Sequence, residues 1–480
     1  MTLSLMLFVS MIGSLLKFSA PRRMLLLLLH ACSVVQIHGL EMPSQTFYKI
    51  TLCVLLPLSS FFFIADSDPV LSDQPFTVVW NAPTQSCLEK FRVEIDVEKF
   101  DIVLNNNHSF LGNKMVIFYS TQLGHYPYYD KSGKPINGGL PQNASIEKHL
   151  HKARQDLAAV IFTTRFKGVA VVDWENWRPL WTRNWNEMIQ YKLRSIELAY
   201  RKYPKSPYSK LKKLARLEFE YAAQAFMRRT LELGREISPE GLWGFYGYPR
   251  CFNYGYGNSS SNYTGECADM EKSRNNHLAW LWRASRALYP DIYLDKELKM
   301  SPNVGSYVKH RVKEGLRISN IVPGQKLPVL PYARIVYKYS MDFLTQEDLI
   351  QTIGQSAALG AAGVILWGNG DYSVSKESCL AVKAYLHDTL GKYLKNVTSA
   401  ADQCSQSRCA GHGRCAQKDS SSKTYLHLDP KIFTIKEDPK GKGYFVHPVT
   451  PNRNITQTWR EFECHCYKDW EGPQCTKNQT

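Results

Sequence analysis

At 480 residues, with 44% hydrophobic and 12% aromatic side chains, the chain exceeds one typical domain and is too apolar to lack a substantial core. Its formal net charge of +16 favours a polyanionic partner, although charge alone does not choose among nucleic acid, anionic membrane and acidic polysaccharide. The twelve cysteines and an apolar leader argue for an oxidising compartment, and that excludes nucleic acid as the working target.

Residues 1–65 carry three apolar stretches, the last of which runs from Ile50 to Ala65 behind Met42 and Lys49. A charge, an apolar core and a small residue in that order read as a secretory signal, with Met42 as the working start. The competing reading is a membrane anchor, but each run is shorter than the ~20 residues a span requires. No later segment qualifies, so the mature chain is expected to have no stable membrane span. Asn-X-Ser/Thr triplets at Asn107, Asn143, Asn258, Asn262, Asn396, Asn454 and Asn478 then suggest a glycoprotein.

From residue 66 to 399 strand-like runs alternate with helical patterns. The runs at 114–120, 168–174, 241–247, 327–337 and 362–368 read as buried strands, while 210–236 places Ala215, Phe219, Ala222 and Phe226 at helical spacing. Residues 304–319 and 346–359 also look helical. This alternation predicts an α/β fold with a parallel sheet, either doubly wound or, as preferred here, a (β/α) barrel. In a barrel the reactive groups lie where strands end, and these strands end at Tyr119, at Asp173 with Glu175, at Tyr246 and at Trp367. Taken singly, each aromatic could equally be ordinary packing.

The run "GVAVVDWENWRPLW" (168–181) gives the sharpest chemical signal. Residues i and i+2 of a strand share a face, so Asp173 and Glu175 should both project into the barrel mouth. Each carboxyl disfavours ionisation of the other, and a retained proton is what a general acid needs. Neighbours on one strand cannot flank a glycosidic bond from opposite sides. An N-acetyl sugar avoids that problem by supplying its own acetamido oxygen as nucleophile, while one carboxyl protonates the leaving oxygen and the other holds the acetamido group. Exposed acids at strand ends are also common, so the pair alone does not establish catalysis.

After residue 400 cysteines dominate. Cys404-x4-Cys409-x5-Cys415, followed by Cys464-x-Cys466-x8-Cys475, resembles an epidermal-growth-factor-like module over 400–480. That resemblance implies the pairs Cys404–Cys415, Cys409–Cys464 and Cys466–Cys475. The spacing lacks paired C-x2-C hooks, so no metal site is expected. The long interval between Cys415 and Cys464 includes "GKGYFVHPV" and reads as an inserted hairpin.

The ordered set "PFTVVWNAPTQSC", "IFYSTQLGHYPYY", "GGLPQNAS", "VVDWENWRPLW", "GLWGFYGYPRC", "NYTGEC", "LYPDIYL", "SAALGAAGVILWG" and "CAGHGRC" resembles the animal hyaluronidases, glycoside hydrolase family 56, from about residue 75 to 475. "LPVLPYARIVY" and "KESCLAVKAYL" look most similar to the family's lysosomal and secreted type. The resemblance implies a distorted TIM-type barrel and endo-hydrolysis of β-1,4 bonds in hyaluronan, with related anionic glycosaminoglycans such as chondroitin as lesser partners. It implies no cofactor, a monomer, and a secreted or lysosomal location. It assigns Glu175 as acid/base, Asp173 as the acetamido-positioning group, Tyr246, Tyr289 and Trp367 to the cleavage subsite, Tyr119 to substrate contact, and Arg311 to the catalytic site. It pairs Cys87 with Cys379 and Cys251 with Cys267. One departure stands out: the family's usual "PDC" is "PRC", so Arg250 replaces an acid near the catalytic carboxyls. A cation there would favour ionised Glu175 and weaken or retune activity, leaving a hyaluronan-binding glycoprotein in the limit; turned outward, it would bind substrate carboxylates.

Overall fold

The apolar runs lack polar alternation because both faces of each strand are buried, as parallel strands require. The computed structural model describes residues 74–479 apart from 162–164, 258–261, 323, 325, 421 and 450–458. Strands β1 (Thr77–Asn81), β2 (Met115–Tyr119), β3 (Val169–Asp173), β4 (Leu242–Phe245), β5 (Tyr332–Ala333) and β6 (Gly363–Trp367) form two parallel three-stranded sheets. Their orders are β1-β6-β5 and β2-β3-β4. Val169 and Val171 of β3 face an interior shared with Met115, Ile117, Val79 and Ile365. Ala170, Val172 and Trp174 face the helices instead.

On one side the sheets are joined through residues 288–291, where Tyr246 pairs with Tyr289, Leu288 with Val329 and Asp291 with Tyr332, all in parallel sense. On the other side Val103 pairs with Val79, and Ile117 N donates to the Phe110 carbonyl. The expected barrel therefore exists as strand segments around one apolar interior, without a continuous hydrogen-bonded ring. Over 327–337 only Tyr332–Ala333 is regular, because Pro328 and Pro331 have no N–H to give a ladder.

Helices α1 (Ile146–Val160), α2 (Ile189–Lys202), α3 (Tyr208–Ile237) and α4 (Val304–Ile321) pack outside the strands, and 346–358 is helical as expected. The buried stripe of α3 is Leu211, Ala215, Phe219, Ala223, Phe226 and Thr230, so Ala223 rather than Ala222 faces the core. Gly234 lets α3 lie against Trp243; a Cβ there would sit 2.7 Å from the indole.

The boundary expected between 399 and 400 falls inside helix α5 (Gly391–Cys409). The described residues all lie within one compact unit spanning Phe63–Thr480. Cys404, Cys415, Tyr444 and Trp459 share a core with Val78, Leu366 and Leu394, and Tyr444 stacks on Phe100 at 4.4 Å. The C-terminal segment is thus built onto the barrel rather than separate from it. It holds the antiparallel pair β7 (Gly413–Gln417) and β10 (Phe462–Cys466), and the expected inserted hairpin, β8 (Phe433–Glu437) with β9 (Tyr444–Pro448). All five expected disulfides form: Cys87–Cys379, Cys251–Cys267, Cys404–Cys415, Cys409–Cys464 and Cys466–Cys475.

The leader, Asn258 and Asn454 lie outside the described residues. Asn107, Asn143, Asn262 and Asn478 are exposed. Asn396 is half-buried in α5, its amide bonded both ways to the Leu428 backbone. Among the described residues no helix is long and apolar enough to cross a membrane, and no cluster of ligating side chains could hold a metal.

Candidate active site

Strand register sets the level of the mouth. Tyr119 at the end of β2 pairs with Asp173 at the end of β3, and Asn81 pairs with Trp367 in the opposite sheet. Trp367 Nε1 then donates to the Tyr119 hydroxyl at 3.0 Å, tying the two sheets together.

The alternation of β3 continues past its end. Asp173 faces the interior, Trp174 turns back into the helix layer at 5% exposed, and the Glu175 side chain emerges at 56% exposed. The three tryptophans of this run are structural. Trp174 stacks on Tyr126 at 4.4 Å, Trp177 Nε1 donates to the Pro127 carbonyl at 2.8 Å, and Trp181 packs on Phe219. They hold the loop that presents Glu175.

Asn184, fully buried, closes that loop. Its Oδ1 accepts from Arg178 N at 2.8 Å and its Nδ2 donates to the Arg178 carbonyl at 2.8 Å. Arg178 in turn donates through Nη1 to the Glu175 carbonyl at 2.7 Å and places Nη2 3.8 Å from Glu175 Oε1. Neither residue was singled out from the sequence. The only sequence trace of this arrangement is the i, i+3 spacing of an arginine from Glu175.

Asp173 Oδ1 is buried without a hydrogen-bond partner. Burial, and then the charge of Glu175, push its carboxyl up to about 8, while Arg250 and Arg178 pull the other way. From the sequence Arg250 is expected to act on Glu175; in the structure its charge also bears on Asp173.

Tyr246 lies at the mouth with its ring 6.0 Å from Tyr293 and 5.1 Å from Tyr332. Tyr289 does not reach the mouth. Its side chain is fully buried in the interior and its hydroxyl donates to the carbonyl of Leu242, at the far end of β4. Tyr293, four residues further and on the same face by strand parity, fills the position expected of Tyr289 and stacks between Tyr246 and Trp367, 6.1 Å from the latter. "LYPDIYL" contains both tyrosines, and the motif alone did not say which reaches the rim. Burial pushes the Tyr119 phenol up to about 12 and also raises those of Tyr246 and Tyr293 well above the usual phenol range, so all three stay neutral donors.

Arg311, on α4, stands one layer behind the mouth. It is 4% exposed, bonded to Asp291 Oδ2 at 2.7 Å and Asn253 Oδ1 at 2.8 Å, and sandwiched by Tyr254 and Tyr307. It is therefore not open to substrate; it holds Asp291 ionised beside Tyr246. Arg250 is likewise built into the wall, with Nε and Nη2 sealed and Tyr248 and Phe252 on its flanks.

A buried carboxyl beneath an exposed one, at strand ends lined with neutral phenols and an indole, fits the two-carboxyl chemistry of a glycoside hydrolase. The hyaluronidase family model, glycoside hydrolase family 56, matches residues 65–479. Hyaluronidase-1 of Sus scrofa is 43% identical over 432 residues, 89% of this chain and 99% of the relative; Hyaluronidase-1 of Homo sapiens is 45% identical over 409 residues, 85% and 94%. A crystal structure of bee venom hyaluronidase in complex with a hyaluronic acid tetramer aligns with a TM-score of 0.60 at 33% identity, covering 66% of this chain and 97% of that one. The chain belongs to the hyaluronidase family and is a glycoside hydrolase.

Proposed function

We propose that this chain is a secreted or lysosomal endo-β-N-acetylhexosaminidase that hydrolyses the β-1,4 bonds of hyaluronan, with chondroitin as a minor substrate, by a retaining, substrate-assisted route. The bee enzyme's complex with a hyaluronic acid tetramer supports the polymer, and the +16 net charge suits its uronates. The disulfides support an oxidising compartment, and we read the C-terminal segment as an epidermal-growth-factor-like module fused to the barrel.

The observation that carries the mechanism is the burial difference between the two carboxyls. Asp173 is interior and holds its proton to about pH 8, whereas Glu175 is exposed. Interacting carboxyls titrate as a unit, so one proton serves the pair. An acetamido N–H arriving at Asp173 needs an acceptor there, and that leaves the proton for Glu175, which faces the leaving oxygen. The acetamido oxygen bonds to the anomeric carbon as the bond from that carbon to the leaving glycosidic oxygen breaks, and Glu175 gives its proton to the leaving oxygen. Water then opens the cyclic intermediate and returns a proton to Glu175. Tyr246, Tyr293 and Trp367 line the acetamido subsite, and Tyr119 is fixed by Trp367 to meet the sugar.

The test is hyaluronan shortening by purified protein from pH 3 to 8, beside Glu175→Gln. The variant should be secreted and folded with cleavage reduced about 10²–10⁴-fold, the range general acid catalysis contributes. Retained cleavage removes Glu175 from this role. A second reading, a weakly active or inactive hyaluronan-binding glycoprotein, is favoured by one observation: Arg250 opposes proton retention on Asp173. Polymer binding without shortening by the wild-type protein supports it.

A further inference from the structure

Beneath the loop that presents Glu175 lies a cavity of about 20 Å³ whose lining includes Arg178, Arg183, Arg250, Arg274, Glu271 and Asn275. About 10–15 Å³ of such space accommodates one water-sized particle. Four guanidinium groups surround it, yet their carboxylate partners are few. Glu271 pairs with Arg183 at 2.8 Å and with Arg274, and Glu175 stands 3.8 Å from Arg178. Arg250 makes no ion pair with any described residue, since Asp291 is taken by Arg311.

Three guanidinium nitrogens are buried here without a hydrogen-bond partner: Arg250 Nε, Arg250 Nη2 and Arg183 Nη2. The last approaches Glu271 Oε2 at 2.8 Å but lacks hydrogen-bond alignment. The two arginines lie on the same ring, with Arg183 Cζ 3.5 Å and Arg250 Cζ 5.8 Å from the Phe252 centroid. Like charges this close and this dry repel, and orphaned charged donors are costly unless something answers them. A water offers two acceptor sites but must also spend two hydrogens. Glu271, the one carboxylate in the lining, has an oxygen engaged by each of Arg183 and Arg274, so what the orphaned nitrogens still need is an acceptor, and a ligand carrying negative charge supplies it without hydrogens to place.

We propose that a single monoatomic anion, chloride among physiological ions, occupies the cavity between Arg183 and Arg250 and stabilises the wall behind the carboxyl pair. The site is independent of which polymer the mouth cleaves. Its cations come from the loop after β3 (Arg178, Arg183), the segment after β4 (Arg250) and the helix over 269–277 (Arg274), so the anion would tie three segments together.

The test exchanges sodium gluconate, too bulky to enter, for sodium chloride or bromide at constant ionic strength, on the full secreted chain. The melting temperature should rise by about 2–5 °C and saturate in the millimolar range, as expected for a ligand that binds only the folded state. Arg250→Gln, which removes both orphan donors of that side chain, should lose this increment. Crystals in bromide should show the ion's anomalous signal between Arg183 and Arg250. An equal melting temperature in gluconate and chloride, an undiminished increment in Arg250→Gln, or water alone in the cavity of bromide crystals each overturns the proposal. Should Arg250→Gln fail to fold, the wild-type titration and the bromide crystals decide.

Discussion

Trp367 and Tyr119, 248 residues apart, meet across the barrel mouth through an indole-to-phenol hydrogen bond of 3.0 Å. The bond fixes the Trp367 ring, and Tyr293 stacks on it at 6.1 Å while also facing Tyr246 at 6.0 Å. The result is a preorganised aromatic wall beside Asp173, held by strands from both sheets.

The two tyrosines of "LYPDIYL" can therefore be told apart by measurement. Tyr293→Phe should lower kcat on hyaluronan about tenfold with little change in stability, because its ring is kept and its neutral donor is lost from the mouth. Tyr289→Phe should instead destabilise the protein by about 0.5–1.5 kcal/mol by removing the interior hydroxyl's hydrogen bond to the Leu242 carbonyl, with a smaller effect on kcat. The reverse pattern in urea unfolding and steady-state kinetics would restore Tyr289 to the site.

Much of this was legible in the sequence for a physical reason. Parallel strands buried on both faces give unbroken apolar runs, so β2, β3, β4 and β6 were found, and the step from apolar to acidic at Asp173 marked the mouth. What was not legible depends on register and reach. Residues 288–291 bridge the sheets without forming a regular strand, so no periodicity marked them, and the choice between Tyr289 and Tyr293 needs the depth of the barrel. Asn184 and Arg178 act through backbone hydrogen bonds that no residue pattern encodes. The boundary at 399/400 was misplaced because the composition changes where helix α5 does not.

That continuity predicts that the C-terminal segment is needed for folding. A chain ending at Ser399 loses half of α5 and the apolar groups of Tyr444, Trp459 and Phe462 that cover the barrel's outer core. It should yield no folded secreted product, as judged by protease resistance and cooperative melting. A stable, cooperatively unfolding truncation would show that the barrel stands alone.

Asn184 is expected to matter more than its distance from the chemistry suggests. Asn184→Ala removes both bonds to the Arg178 backbone and leaves those groups without their partner, at a cost of about 2–3 kcal/mol. Because Arg178 buttresses the Glu175 backbone, kcat should fall roughly tenfold with KM nearly unchanged, the signature of a displaced acid rather than lost binding. Asn184→Asp keeps the acceptor and should fall between; a KM effect alone would count against this role.

The carboxyl pair gives a stability test that needs no substrate. Asp173 has its folded value raised from 3.8 to about 8, chiefly by burial and then by Glu175. For an acid whose folded value is raised, the contribution to stability is fully present below the unfolded value and is lost as pH rises through the folded one. Wild-type protein should therefore lose stability, relative to a neutral isostere, between about pH 4 and pH 8. Asp173→Asn should match the wild type near pH 4 and exceed it at pH 8 by on the order of 5 kcal/mol, in urea unfolding at each pH. Glu175→Gln removes the second of the two influences that raise Asp173, after burial, so the upper end of the window should move toward acid and the loss of stability across it should shrink. Parallel stability curves for Asp173→Asn and wild type would mean that Asp173 is ionised throughout, and the pair would then have no shared proton to give to the leaving sugar.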